Sequence, residues 1–161
     1  MNLLTLKEFA KHKDGTYAAL NLSKASQHQL DEFTDNLKLQ NKIDPSTYHI
    51  TVAMSDAPVP QAENLKPSLP MQGHATGWEI FNTKTGTRAL VLKVSSPSAT
   101  RLHNKLKQMG ATSSYPTYKP HVSIVFDYHG DIKDLPIPKF PLVFDDFIVK
   151  ANDKSYVPPS K

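Results

Sequence analysis

Apolar residues alternate with polar or reactive ones through two stretches of this chain, Tyr48-His-Ile-Thr-Val-Ala-Met54 and Lys119-Pro-His-Val-Ser-Ile-Val-Phe-Asp-Tyr128. A period of two is the pattern of a half-buried β-strand, in which successive side chains point to opposite faces. On that pattern His49 and Thr51 share one face, as do His121 and Ser123. Tyr48, Ile50, Val52 and Met54 take the other face, with Val122, Ile124 and Phe126 in the same places on the second strand. Each strand then carries an imidazole beside a hydroxyl on one side and an apolar wall on the other. Two such strands facing each other predict a cleft with two histidines.

The likeness of the two stretches extends upstream. A shift of 72 residues carries His49 onto His121, Ile50 onto Val122 and Thr51 onto Ser123. It also carries Leu20 onto Leu92, Leu22 onto Val94, Ser23 onto Ser95, Leu30 onto Leu102 and Leu37 onto Met109, with no gap. This is an internal duplication of a strand–helix–strand unit.

The remaining pattern fills in around it. Leu3, Leu4, Leu6 and Phe9 among Lys7, Lys11 and Lys13 predict a short amphipathic helix covering an edge. Gly15 turns into a strand over Thr16–Leu22. Ser23 caps a helix with the stripe Leu30, Phe33, Leu37. Asp44-Pro45-Ser46 is turn chemistry. Pro58, Pro60, Pro67 and Pro70 make residues 56–71 a loop between the halves. His74–Phe81 and Thr87–Val94 predict a hairpin. Ser95-Ser-Pro-Ser98 opens a second helix, carrying Leu102, Leu106 and Met109 and closed by Gly110. Phe140–Lys150 is a final strand, and Pro158-Pro159 an open tail.

Composition narrows the class. With 39% hydrophobic and 21% charged residues, the chain of 161 residues has the make-up of a globular protein rather than a disordered one. It is expected to form a single bilobal domain over 1–161, with one motif at 49–51 and the other at 121–123. No apolar run approaches the roughly 18 residues of a membrane span, and the start lacks the pattern of a signal peptide, so no membrane partner is expected. The absence of cysteine excludes disulfides and thiolate metal sites and fits a cytoplasmic location. A net charge of +4 leans towards an anionic partner, but the basic residues are scattered and give no track for a long nucleic acid.

Two histidines with a free proton value of about 6.5 can supply a general base and a general acid near neutral pH. Placed on opposite sides of one phosphodiester, they need neither a metal nor another cofactor. The hydroxyl two residues on points into the same space and can donate to a non-bridging phosphate oxygen as charge builds there. Zinc is the competing chemistry for two histidines, but no third ligand repeats with them: Asp127 stands where the first half has Ser55. His12, His28, His74, His103 and His129 have no repeat behind them, and His28 and His103 are expected on solvated helix faces.

The paired H-x-[ST] motifs, from about Tyr17 to about Val149, resemble the 2H phosphoesterase superfamily, most closely the phage anti-CBASS phosphodiesterases that degrade cyclic di- and trinucleotide signals. The resemblance implies an α+β fold of two pseudo-symmetric lobes, each a curved, mainly antiparallel sheet with outer helices, around a central cleft. It implies a catalytic set of His49, Thr51, His121 and Ser123, and a cyclic oligonucleotide as the partner. Tyr17 and Trp78 are its candidates for stacking a base, with Tyr115, Tyr118 and Lys119 placed only by their nearness to His121. The reaction expected is cleavage of a 3′–5′ bond by the ribose 2′-hydroxyl, in the host cytoplasm. The rival expectations are an RNA phosphodiesterase acting on 2′,3′-cyclic ends or 2′–5′ links, and a protein that sequesters cyclic nucleotides without cutting them. Oligomeric state is not legible.

Overall fold

A computed structural model describes residues 11–113 and 115–161. The amphipathic helix expected near the start lies mostly outside the described residues. Among the described residues, besides short 3-10 turns at Pro45–Thr47 and Pro60–Asn64, there are six strands and two α-helices: β1 (Thr16–Leu22), α1 (Lys24–Asp35), β2 (His49–Ser55), β3 (Met71–Asn82), β4 (Arg88–Ser95), α2 (Pro97–Gln108), β5 (His121–Val125) and β6 (Leu142–Ala151). The strands form one sheet in the order β2-β1-β6-β3-β4-β5, antiparallel throughout. This is an α+β fold of two pseudo-symmetric lobes, β2-β1-β6 with α1 and β5-β4-β3 with α2. The two lobe sheets are joined by β6 and β3 into a single one. The last strand thus completes the first lobe, and the strand after the Pro-rich loop completes the second.

The duplication holds at the level of register. In the first lobe Ala18 pairs Ala53, Ala19 pairs Thr51, Leu20 pairs Ile50 and Asn21 pairs His49. In the second, Leu90 pairs Val125, Val91 pairs Ser123, Leu92 pairs Val122 and Lys93 pairs His121. Every partner is displaced by the same 72 residues.

The irregularity is duplicated too. Val52 and Ile124 are the extra residues of a β-bulge at the same place in each lobe. A bulge breaks the period of two, and this corrects the reading of Met54. Ala53 takes the buried side, and Met54 turns to the face of its partner Tyr17, 58% exposed.

The core lies on the face away from the motif hydroxyls. Leu20 with Ile50 and Leu92 with Val122 meet Leu30 of α1 and Ala99, Leu102 and Leu106 of α2 there. Each such leucine, taken from water, stabilises the fold by roughly 1.5–3 kcal/mol. Both helices start on a serine, as the sequence predicted. Ser23 Oγ accepts from Ser26 N, and Ser96 Oγ from Ala99 N ahead of Pro97. Gly15 enters β1 with φ +114°, where an added Cβ would lie 1.9 Å from the Ser55 carbonyl oxygen. The residue-158 region is not an open tail: Asp44 N donates to Pro159 O, Lys161 N donates to Lys42 O, and Lys161 Nζ bridges Asp31 and Asp35.

Candidate active site

The face of the sheet away from the helices carries the reactive side chains in rows. In the first lobe the rows are His49–Asn21–Asp146, Thr51–Ala19–Ile148 and Met54–Tyr17–Lys150. In the second they are His121–Lys93–Gly77 and Ser123–Val91–Glu79, with Phe81 opposite Ala89 next along β3. The edge strands β2 and β5 stand at opposite ends of the strand order, yet the curl of the sheet brings them together. All four motif side chains are partly exposed in the cleft between them.

Both imidazoles are held alike. His49 Nδ1 donates to Thr47 O at 2.7 Å, and His121 Nδ1 donates to Lys119 O at 2.7 Å. A carbonyl can only accept, so Nδ1 carries the hydrogen in each ring and Nε2 is left for a ligand. Burial pushes both imidazoles below their ordinary value. At His49 the Thr47 carbonyl opposes this and the Lys150 charge adds to it. At His121 the Lys119 carbonyl and Glu79 oppose it, and the charge of His49 adds to it. His121 therefore feels the charge of His49.

Tyr17 sits beside the first motif. Its hydroxyl lies 3.1 Å from Thr51 Oγ1, and its ring stands edge-on to His49 at 6.3 Å between centroids. Burial pushes the phenol up to about 12, so it stays protonated and can donate to Thr51 Oγ1, freeing the threonine hydrogen for a ligand. Lys150 Nζ stands 5.4 Å from the centre of the same ring.

Trp78 is placed differently from the expectation and needs correcting. It pairs with Leu92 on the core face, is 8% exposed, and its indole N–H donates to Pro136 O at 2.9 Å. Its ring is spent on packing rather than offered to a base. Phe81 takes the corresponding place in the cleft, its ring 4.6 Å from that of His121. The sequence held a signal for it: the repeat puts Ala89 where the first lobe has Tyr17, and Phe81 is the strand neighbour of Ala89 in the hairpin.

His103 is not the solvated helix residue that the sequence predicts. It is 8% exposed, donates through Nδ1 to Val52 O at 2.7 Å, and stacks on Tyr118 at 4.1 Å with planes 7° apart. The Tyr118 hydroxyl donates to Thr51 O at 2.7 Å. Tyr115 is 69% exposed, and Lys119 contributes the carbonyl that orients His121.

An antiparallel sheet doubled about its centre, with an imidazole and a hydroxyl from each edge strand meeting in one cleft, is the design of a 2H phosphoesterase. Solved structures bear out the fold. Escherichia coli LigT in complex with 3′-AMP superposes with a TM-score of 0.56 at 14% identity, over 83% of this chain and 84% of that one. A Thermus thermophilus protein superposes at 0.53 and 15%, over 84% and 83%. In sequence, residues 14–155 match the profile of the family described as anti-CBASS protein Acb1. Anti-CBASS protein Acb1 of Vibrio phage KVP40 is 33% identical over 119 residues, 70% of this chain and 73% of that protein. The Acinetobacter phage Ac42 protein of the same name is 30% identical over 125 residues, 78% and 79% of the two chains. The chain belongs to the anti-CBASS Acb1 family, and it is a phosphodiesterase.

Proposed function

We propose that this protein cleaves 3′–5′ phosphodiester bonds in cyclic di- and trinucleotides, without a metal, and so removes the signal that drives CBASS defence in the cytoplasm of a phage-infected bacterium. The observation that carries the reading is the paired site: His49 with Thr51 and His121 with Ser123, in identical registers, each imidazole held through Nδ1 so that Nε2 is left for a ligand. One Nε2 takes the proton of a ribose 2′-hydroxyl as that oxygen attacks phosphorus. The other gives its proton to the departing 5′-oxygen, leaving a linear product with a 2′,3′-cyclic phosphate that water can open. Thr51 and Ser123 donate to the non-bridging oxygens, where charge grows. Lys150 opposes a charge on His49; at His121 a charged His49 opposes a proton more than Glu79 favours one, but with His49 neutral as the base only the Glu79 influence is left. We therefore assign His49 as base and His121 as acid. Tyr17 and Phe81 supply a ring for a base on each side of the scissile bond.

The test is incubation with a 3′,3′-cyclic dinucleotide followed by chromatography. A linear dinucleotide ending in a cyclic phosphate is expected. Recovery of intact ring overturns the reading, and faster cleavage of RNA carrying 2′,3′-cyclic ends or 2′–5′ links reassigns the substrate.

A further inference from the structure

We propose that Lys150 binds a substrate phosphate other than the one being cleaved, and so selects rings of nucleotides over substrates with a single phosphate. This rests on the function proposed above and deepens it. Lys150 is exposed, on the cleft face of β6, in the row that begins with Met54 and Tyr17. Its ammonium is held between two phenol rings, 5.4 Å from the centre of Tyr17 and 5.4 Å from that of Tyr156. Other lysines of the chain, Lys11, Lys42, Lys154 and Lys161, lie within ion-pair distance of carboxylates. Among the described residues no Asp or Glu stands within 4.0 Å of Lys150. Asp153 feels its charge without reaching ion-pair distance, so the ammonium is left without a direct partner.

A cation over a ring at an exposed site gains only about 0.5–1 kcal/mol. A charge-assisted bond to a phosphate is stronger, so the ammonium is poised to exchange. The position fits a second phosphate better than the first. Strands lie about 4.8 Å apart, so the β6 backbone is roughly 10 Å from that of β2, where Thr51 receives the scissile group. A base stacked on Tyr17 carries its own phosphate linkage past the ring that Lys150 covers. A ring of two or three nucleotides always has a second phosphate to present. A dinucleoside monophosphate does not.

The pseudo-symmetry sets this residue apart. Lys150 pairs with Tyr17, and the corresponding neighbour of Ala89 in the second lobe is Phe81. The outer corner of the cleft is thus cationic in the first lobe and aromatic in the second.

The experiment compares Lys150→Met, Lys150→Arg and the unaltered protein on a 3′,3′-cyclic dinucleotide and on the dinucleoside monophosphate ApA. Both substrates are compared on the same variant at the same pH, so that any change in the charge of His49 or His121 cancels in the ratio. The ratio of kcat/KM for the ring to kcat/KM for ApA is expected to fall about tenfold in Lys150→Met, through KM, and to recover in Lys150→Arg, as for one charge-assisted contact. Calorimetry with the cyclic dideoxydinucleotide, which lacks the attacking hydroxyl, should show a parallel loss of affinity of about tenfold for Lys150→Met. An unchanged ratio, or equal losses on both substrates, overturns the proposal. A protein that binds the dideoxy ring through Lys150 yet leaves the ribose ring intact would sink the cleavage reading alone.

Discussion

The two edge strands of the sheet are the same strand twice, yet they are sealed by different chemistry. On β2 the carbonyl of Val52 accepts from the imidazole of His103, and that of Thr51 from the phenol of Tyr118. On β5 the carbonyl of Ile124, the counterpart of Val52, accepts from the backbone N–H of Ile43 at 2.8 Å, and Lys42 bridges Val125. An open edge exposes unpaired backbone groups and invites association. The duplication has kept the place that must be closed and not the groups that close it.

In each case the seal comes from the opposite lobe. His103 and Tyr118 reach β2 from the second half, and residues 42–43 reach β5 from the first. Where α2 has His103, α1 has Asp31, which binds the nearly buried Lys42 Nζ at 2.7 Å. Burial alone would raise the Asp31 carboxyl, but hydrogen bonds from Lys42 and Lys161 hold it below its usual range. One lobe is braced by a charge cluster and the other by a stacked pair of rings, and each motif strand is steadied by the half it must face.

The hardest test of equivalence is removal of each imidazole. His49→Ala and His121→Ala should each lower kcat/KM by about two to four orders of magnitude, the usual weight of general acid–base catalysis. Melting curves should stay near the parent, because both side chains line a wet cleft. Near-native turnover in either variant would end the two-histidine mechanism.

The braces should separate stability from chemistry. His103→Ala removes the donor to Val52 O and the face of Tyr118, and should cost about 1–3 kcal/mol in urea unfolding. Losing no stability would show that the β2 edge is closed some other way. The electrostatic difference between the lobes should then appear in the pH profile. Activity needs His121 protonated and is lost as pH rises through its value, so Glu79→Gln, which removes a group favouring that proton, should move the alkaline limb to lower pH. A shift of the acid limb instead would exchange the roles of the histidines. Both imidazoles are depressed, so the stability they contribute is complete above the ordinary value of about 6.5 and is lost as pH falls through their folded values. The smallest effect should come from chelation. Excess EDTA should leave turnover unchanged in both lobes, and a loss restored by zinc or manganese would replace the acid–base pair with a metal site.

The duplicated strands, both capped helices and the shared face of each motif pair were legible because their signals are local: a period of two, a serine cap, a repeat without gaps. Met54 was misread because parity arguments assume an unbroken period, and the bulge at Val52 adds a residue that leaves no trace in hydrophobicity. Trp78 was misplaced for a related reason. The register of β3 slips between Ala75 and Gly77, so its face could not be counted from the motif strands. His103 looked solvated because its burial comes from β2, fifty-one residues away in sequence, reaching over the helix face. Long-range closure, not local pattern, decides such positions.

The crossing of the last strand into the first lobe bears on how a ribosome delivers this chain. Thr16 pairs with Ala151 and Leu20 with Phe147. The first motif strand, its partner β1 and α1 therefore emerge long before the strand that finishes their sheet. Until residues 142–151 are out of the exit tunnel, the nascent chain carries a two-stranded ribbon with an unpaired side, too small to be stable alone. Pairing over so great a sequence separation makes folding late and slow rather than stepwise. Because that missing strand also carries Asp146, Ile148 and Lys150, the rows of the reactive face stay incomplete on a partly made chain.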